Sequence, residues 1–326
     1  MNQLHVAIQM DPIESIDIKG DTSFRLALEA QRRNHYVYIY QPKDLSWSKE
    51  GVQAKIKSVR LKDEVGNHFK IAETKNALLK NFDVILMRQD PPFDMAYITS
   101  THLLEHLPKT TQVINNPKEV RNAPEKILIT NFPDLIPPTL ISNNKEQITK
   151  FRKEHKDIII KPLYGNGGAG VFRIRPNDQN LNTLLDMFSS INKEPLMIQT
   201  YLPAVRNGDK RIIIIDGKAA GAINRIPPKN EARSNMHVGG KPVPCELTKR
   251  DQYICEKIGP TLKKRGLLFV GIDVIGEYLT EINVTSPTGI REIEAFSNNN
   301  IAEKTWQIIE KNAKKSINDT TNEHFH

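Results

Sequence analysis

Three clusters of residues carry the chemistry that this sequence could perform. The first is Gly165-Asn166-Gly167-Gly168-Ala169-Gly170, which fits GxGxxG as a string. A dinucleotide fingerprint needs a strand before the glycines and a helix after them. Here Ile158–Lys161 reads as a strand, but Val171-Phe172-Arg173-Ile174-Arg175 alternates like a second strand, so the loop is expected to close a hairpin. Four glycines in six residues exceed what a turn requires. They let backbone amides approach and wrap phosphate oxygens, and Lys161 stands where a cation could reach the same phosphates. The chain has no GxxxxGK[ST], so this is not a P-loop.

The second cluster is Asp273, Glu281 and Asn283, in VGIDVI and LTEINV with a turn at Gly276-Glu277. If residue 273 pairs with 281, all three side chains share one face, because strand side chains alternate with period two. Two carboxylates and an amide oxygen suit Mg²⁺, a hard cation that prefers oxygen; Mn²⁺ is a possible substitute. The plain alternative is a solvated polar sheet face. The third is the segment between Arg225 and Cys245, which has no apolar periodicity and contains Pro227, Pro228, Gly239, Gly240, Pro242 and Pro244, with positive charge at Lys229, Arg233 and Lys241. A loop of this length in a compact domain reads as an active-site lid over 226–243, against the alternative of a surface insertion.

Other patterns carry less. His102-Leu103-Leu104-Glu105-His106 spells HxxEH, but nothing nearby supplies a third ligand, and the pair reads as ordinary helix histidines. No Ser/His/Asp triad is apparent. The 326 residues include 46 Lys+Arg and 38 Asp+Glu, a net charge of +8, and only 6% aromatics. The basic residues are scattered, unlike a nucleic-acid binder, which concentrates them and adds stacking platforms. No apolar run approaches the ~20 residues of a membrane span. The N-terminus has no signal-peptide pattern, and two cysteines, Cys245 and Cys255, exclude a disulfide framework; both point to a cytoplasmic chain.

These clusters must be positioned by two kinds of architecture. Over 1–122, strands Leu4–Met10, His35–Tyr40, Asp83–Met87 and Gln112–Ile114 alternate with helical stretches, the first capped at Asp21-Thr22, which predicts a Rossmann-like parallel sheet. Ala123–Asn131 reads as a helix. Beyond it, strands at Ile158–Lys161, Val171–Arg175, Leu196–Gln199, Arg211–Asp216, Ala219–Arg225, Phe269–Ile275 and Leu279–Val284 are close enough for antiparallel hairpins. Helices are expected over Asn180–Ile191, Lys249–Arg265 and Ala302–Asn312, with a frayed tail from Ser316.

With these residues in place the chain resembles the prokaryotic glutathione synthetases of the ATP-grasp superfamily, over about residues 1–300. The resemblance rests on Met87-Arg88-Gln89-Asp90-Pro91-Pro92-Phe93-Asp94, on Ile160-Lys161-Pro162-Leu163 with the glycine loop, on Gly208-Asp209-Lys210-Arg211, and on GIDVIGEYLTEINVTSPTGIREIE from Gly271 to Glu294. It implies an N-terminal α/β domain (1–122), a small ATP-grasp subdomain (123–200) and a large one (201–316), followed by the tail (317–326), with ATP between antiparallel sheets. By resemblance Lys126 and Lys161 contact phosphates, and Gly165, Gly167, Gly168 and Ala169 cover them. Tyr201-Leu202 offers backbone to adenine, and Asp209 belongs to the nucleotide site. Asp273, Glu281 and Asn283 hold magnesium. Arg211, Arg225 and the lid's Arg233 are the candidate catalytic residues, and Arg88 and Arg291 the candidates for substrate carboxylates. The implied reaction joins γ-glutamylcysteine and glycine through an acyl phosphate in a cytoplasmic homotetramer, with no nucleic-acid or membrane partner. Another ATP-grasp carboxylate–amine ligase, such as one joining two D-alanines, and a nucleotide-binding module without catalysis are the alternatives. Two departures stand out. The lid reads Pro228-Lys229-Asn230 where members are often glycine-richer, and Gly289 stands where some carry cysteine, which argues against an essential thiol there.

Overall fold

The computed structural model describes residues 3–165, 167–191, 193–229 and 239–323. The chain builds three sheets in sequence order. The first takes strands β1 (His5–Gln9), β2 (Tyr36–Tyr40), β3 (Leu45–Ser48), β4 (Gly51–Leu61), β5 (Phe69–Leu78), β6 (Val84–Met87) and β7 (Gln112–Ile114), with helices α1 (Thr22–Arg32), α2 (Met95–Glu105) and α3 (Pro117–Arg121). The second has β8 (Thr139–Ser142), β9 (Ile158–Pro162), β10 (Phe172–Ile174) and β11 (Leu196–Thr200), with α4 (Lys145–His155) and α5 (Leu181–Ile191). The third has β12 (Asp209–Ile215), β13 (Lys218–Ile226), β14 (Lys241–Pro244), β15 (Phe269–Ile275) and β16 (Tyr278–Asn283), with α6 (Lys249–Lys264), α7 (Ile290–Phe296) and α8 (Ile301–Glu323).

The order β2-β1-β6-β7 is parallel, as the alternation predicted. Strand β1 is buried on both faces, because helices cover both sides of a parallel sheet. Val6 and Ile8 pack with Phe24 and Leu26 of α1 and Trp306 of α8; Ala7 and Ile85 pack toward Tyr97 and Leu104 of α2. The sheet is nevertheless mixed. Strand β4 runs antiparallel to β2 and pairs with β3 and β5, three strands that the sequence reading did not anticipate.

Both later sheets are antiparallel in every pair, with orders β10-β9-β11-β8 and β14-β13-β12-β15-β16. The glycine loop does close a hairpin, with Phe172 opposite Ile160. Strand β12 shows how one sheet serves two purposes. Its Ile212 and Ile214 join Ile254, Ile258 and Leu262 of α6, while Ile213 and Ile215 continue the face on which Asp209 and Arg211 lie.

Two expected elements need correction. Ala123–Asn131 is not an α-helix: only Leu128–Asn131 forms a short 3₁₀ turn. Pro124 lacks an amide hydrogen, and the Glu125 carbonyl instead accepts from Ile282 N of β16 at 3.2 Å. The segment is therefore fastened to the third sheet. The last helix continues to Glu323, past the Asn312 end set by the apolar pattern and through the stretch expected to fray. The flanks of the expected lid also have structure. Arg225 pairs with Pro242 and Ile226 with Lys241, so β13 and β14 zip together below residues 230–238, which lie outside the described residues.

Cys255 lies on the buried face of α6, and burial pushes its thiol up to about 12. Thiol reagents attack the thiolate, whose share at pH 8 is then on the order of 10⁻⁴. In the native protein at pH 8, Cys255 should resist Ellman's reagent, and reaction should speed up as pH rises. In 8 M urea both cysteines should titrate promptly. Fast native labelling of Cys255, mapped by mass spectrometry, would contradict this burial.

Candidate active site

The cleft holding most of the predicted residues has a volume of about 790 Å³, within the range of small-molecule sites. Its walls come from all three sheets. Segments following β1 and β6 supply Asp11, Asp17, Asp90 and Pro91, so the parallel sheet presents the carboxyl ends of its strands, where α/β sheets bind ligands. The second sheet supplies Ile159, Lys161 and Gln199, and the third Asp209, Arg211, Arg225, Asp273, Glu281 and Asn283.

Register explains why these charges converge. Arg211 of β12 stands opposite Asp273 of β15, and Asp273 opposite Glu281 of β16, the pairing anticipated from sequence. One row across three strands therefore reads Arg211, Asp273, Glu281. Asp209 faces Arg225 on the other neighbour of β12, and Asn283 faces Gly271. Gly271 leaves the room this requires: a Cβ there would stand 2.7 Å from Pro287 Cβ and 3.2 Å from Arg211 Cδ.

The Asp273 carboxylate is gripped twice. Arg211 Nε donates to Oδ1 at 2.6 Å and Nη2 to Oδ2 at 3.1 Å, while Arg225 Nη2 lies 3.1 Å from Oδ2. Arg225 also donates to Asp209 Oδ2 at 2.7 Å, and Arg211 to the Thr288 carbonyl at 3.2 Å. Burial pushes the Asp273 carboxyl up, but the two guanidiniums outweigh it and hold the group well below the usual carboxylate range. Burial likewise pushes Arg225 down, and Asp209 and Asp273 drive it back above its ordinary value.

Two buried lysines, Lys126 and Lys161, stand beside this row. Lys126 is buried; its ammonium contacts the Gly165 carbonyl and lies 3.3 Å from Glu281 Oε1, linking the glycine loop to the acidic row. Lys161 is buried beside it. Burial pushes its ammonium down, opposed chiefly by Glu281. The loop between them needs its glycines: Gly170 has φ +69°, and a Cβ there would meet Pro162 Cγ at 2.9 Å. Gly165, Gly167, Gly168 and Ala169 line the cleft, as do Tyr201 and Leu202. Asn166 lies outside the described residues.

Two predicted residues are not brought to the cleft. Arg291 binds Asp63 through both terminal nitrogens, at 2.9 and 3.0 Å, with its guanidinium 5.6 Å from the Phe24 ring centroid. Arg88 stands behind the wall, donating to Ser23 Oγ at 3.1 Å and the Pro287 carbonyl at 3.0 Å. Arg233 lies outside the described residues. Conversely, the sequence reading missed Glu125, which lines the cleft and accepts from Thr285 Oγ1 at 2.8 Å. Burial, then Glu281, pushes its carboxyl up. It also missed Asp11, Asp21, Asp90 and Glu292 on the N-terminal side. Asp90 and Glu292 both lie inside motifs already singled out, Met87–Asp94 and Gly271–Glu294, and Asp21 reads from sequence only as a helix cap.

The donor set Asp273, Glu281 and Asn283 is wholly oxygen, which fits a hard divalent cation. Asn283 Nδ2 is buried with no hydrogen-bond partner, so that amide has no fixed commitment among the described residues. No cluster of three His, Cys, Asp or Glu suited to a metal occurs among the described residues. In the HxxEH stretch, His106 packs against Trp47 and Glu105 pairs with Arg121.

Comparison with known proteins bears on this geometry. Residues 4–121 match the family described as prokaryotic glutathione synthetase, N-terminal domain, and residues 125–298 match prokaryotic glutathione synthetase, ATP-grasp domain. The chain belongs to the prokaryotic glutathione synthetase family. Among curated members of this family, the glutathione synthetase of Agrobacterium fabrum strain C58 is 54% identical over 307 residues, covering 94% of this chain and 96% of the relative. That of Brucella melitensis biotype 1 is also 54% identical over 307 residues, covering 94% and 98%. Among solved structures, the D-cycloserine synthetase DcsG superposes with a TM-score of 0.68 at 13% identity, covering 94% of this chain and 99% of that one, which shows the shared fold. Members of the glutathione synthetase family carrying an ATP-grasp domain are ATP-dependent ligases that use a divalent metal, and this chain is an enzyme of that kind.

The doubly gripped Asp273 yields a stability prediction. Removing one partner of a buried ion network costs about 3–5 kcal/mol. Asp273→Asn should lower urea-unfolding stability by that order. The folded carboxyl is held low, so its contribution is full above the unfolded value near pH ~4 and is lost as pH falls further, toward its folded value. The gap between wild type and variant should stay constant from pH 5 to 8 and narrow only in stronger acid. A gap that closed near neutrality would show that the carboxylate is not held in this way.

Proposed function

We propose that the protein joins the cysteinyl carboxylate of γ-glutamylcysteine to the amine of glycine, giving glutathione, ADP and phosphate. The observation that carries this reading is the convergence of a glycine loop, two buried lysines and the Arg211–Asp273–Glu281 row on one cleft, in a chain that belongs to this family from residue 4 to 298.

A carboxylate resists attack by an amine because its charge repels the electron pair. Phosphorylation by ATP converts it to an acyl phosphate, which glycine's amine attacks with loss of phosphate. Such transfers depend on positioning and electrostatics rather than on a protein nucleophile, and no triad or activated cysteine is needed. Lys126 and Lys161 are assigned to the nucleotide phosphates, the amides of Gly165, Gly167, Gly168 and Ala169 to covering them, Tyr201-Leu202 to adenine, and Asp209 to the nucleotide side of the cleft. Arg211 and Arg225 are assigned to the transferring group, with Arg233 as the lid's contribution. Asp273, Glu281 and Asn283 would hold Mg²⁺, which supplies positive charge against the phosphates. Asp273 also fixes both arginines, so it serves the geometry of the site as well as its charge. Arg88, which holds the Pro287 carbonyl, is assigned to shaping the substrate wall. Arg291, engaged with Asp63, takes no substrate role in this reading. No described helix is long and apolar enough to cross a membrane, and both cysteines are unpaired; we assign the enzyme to the cytoplasm as a homo-oligomer.

A coupled ADP-release assay tests the substrates. ADP should appear with γ-glutamylcysteine and Mg²⁺, and glutathione only when glycine is added. Matching or faster ADP release with two D-alanines would keep the ligase and discard the glutathione assignment.

A variant tests the metal face. Glu281→Ala should reduce turnover about a thousandfold, roughly 4 kcal/mol at 1.36 kcal/mol per tenfold, while its melting temperature stays within a few degrees. Near-normal Mg²⁺-dependent turnover in that variant would refute the metal assignment.

A further inference from the structure

Three residues of the second sheet and its flanks form a closed arrangement in which only the Tyr201 backbone has so far been given a role. Asp157 immediately precedes β9, Arg173 lies in β10, and Tyr201 immediately follows β11; β9 is the middle strand of the three. The Asp157 carboxylate grips Arg173 at two points, Nε to Oδ1 at 3.0 Å and Nη2 to Oδ2 at 2.6 Å. The Arg173 guanidinium then lies over the Tyr201 ring, its Cζ 3.6 Å from the ring centroid. The Tyr201 amide closes the figure by donating to the Asp157 carbonyl at 2.9 Å.

The chemistry of arginine makes this arrangement specific. A guanidinium is planar, so its edge can chelate a carboxylate while its face stacks on an aromatic ring. An ammonium offers no such plane. Tyr201 is only 8% exposed and lines the cleft, while Asp157 and Arg173 stand behind it. Arg173 is also three residues from Gly170, the last glycine of the loop. The trio thus ties the strand that returns from the glycine loop to the backbone at Tyr201.

We propose that Arg173 is a positioning residue for nucleotide binding: gripped by Asp157 and stacked on Tyr201, it fixes the Tyr201-Leu202 backbone against the glycine-loop hairpin and so sets affinity for ATP without touching it. This rests on the reading that Tyr201-Leu202 faces adenine. The alternative is that the trio contributes only to folding, and the two differ in which kinetic constants they move.

The test uses the full chain with Arg173→Ala, Arg173→Lys, Tyr201→Leu and the Arg173→Ala/Tyr201→Leu double variant. Each substrate is varied in turn in the ADP-release assay, and binding of the non-hydrolysable analogue AMP-PNP with Mg²⁺ is measured by calorimetry. Arg173→Ala should raise the KM for ATP and the Kd for AMP-PNP about tenfold, the order expected for losing a cation–π contact and its support. kcat should stay within about twofold, with the KM values for dipeptide and glycine unmoved. Arg173→Lys should recover less than half of the loss, because it keeps the charge but not the plane. The double variant should lose no more than the worse single variant, since both break one contact.

An ATP KM in Arg173→Ala equal to wild type overturns the proposal. So does a parallel shift of kcat and all three KM values, the pattern of a general structural defect. Should Arg173→Ala fail to fold, Arg173→Lys and Tyr201→Leu decide on the same criteria. A wild-type protein that does not bind AMP-PNP at all would remove the functional reading and this proposal together; wild-type binding that Arg173→Lys and Tyr201→Leu both match removes the proposal alone.

Discussion

The burial of one charged carboxylate between two guanidiniums is the constraint on which the third sheet and the cleft depend. An unpaired anion inside a protein is expensive, so Asp273 requires Arg211 and Arg225 to arrive at the same depth from different strands. That fixes β12 between β13 and β15 and fixes their register. Slipping either ladder by one residue would turn the row to the face packed against α6, where Ile254 and Ile258 can answer no charge. Asp273 thereby specifies the sheet at the same point where it serves the cleft.

The remaining walls are hung from this sheet by polar ties. The Asn115 side chain donates to the carbonyls of Phe269 and Val284, at 2.8 Å each, and accepts from Phe269 N at 2.9 Å, joining the end of β7 to β15 and the chain beyond β16. Arg88 reaches from the end of β6 to the Pro287 carbonyl. Lys126 spans the space between the glycine loop and Glu281. Each tie links residues far apart in sequence and leaves one side chain or backbone segment exposed to the cleft. The parallel domain therefore contributes an acidic wall whose position is set by the antiparallel one.

What was legible in the sequence was local. The glycine hairpin and the Asp273, Glu281 and Asn283 face follow from period-two alternation and a tight turn, and both stand in the structure as read. The stretch Lys126-Ile127-Leu128-Ile129 has helix-like content, but Pro124 and the bond from Ile282 N to the Glu125 carbonyl override it, and that partner is more than 150 residues away. Strand β4 was readable in retrospect, since Val52, Ala54 and Ile56 alternate into the core before a bulge shifts the phase to Val59 and Leu61. Strand β5 was not, because as an edge strand it is exposed along most of its length and shows no apolar period. Glu125 gave no signal either, since nothing beside it in sequence marks a carboxylate as buried. The guanidiniums of Arg291 and Arg88 have the chemistry to bind carboxylates, but Asp63, Ser23 and Pro287 claim them, and only tertiary structure brings those partners near.

The charge pattern of the cleft follows from which cations are already answered. Arg225 is shared by Asp209 and Asp273, Arg211 by Asp273 and a carbonyl, and Lys126 by Glu281 and a carbonyl. Lys161 has no ion pair among the described residues, and burial already weakens its hold on a proton. The arginines are held by carboxylates before any ligand arrives, so little reorganisation of these side chains would be needed to meet one in the cleft. Lys161 lines the cleft without an ion pair among the described residues, so an incoming polyanion would answer its charge. Glu125, Glu281 and Asp273 line the same cleft, so an anion there is better matched if it brings compensating positive charge with it. A cleft of this composition disfavours a bare phosphate chain and favours one already paired with a divalent cation, and the oxygen donors of Asp273, Glu281 and Asn283 fit such a cation.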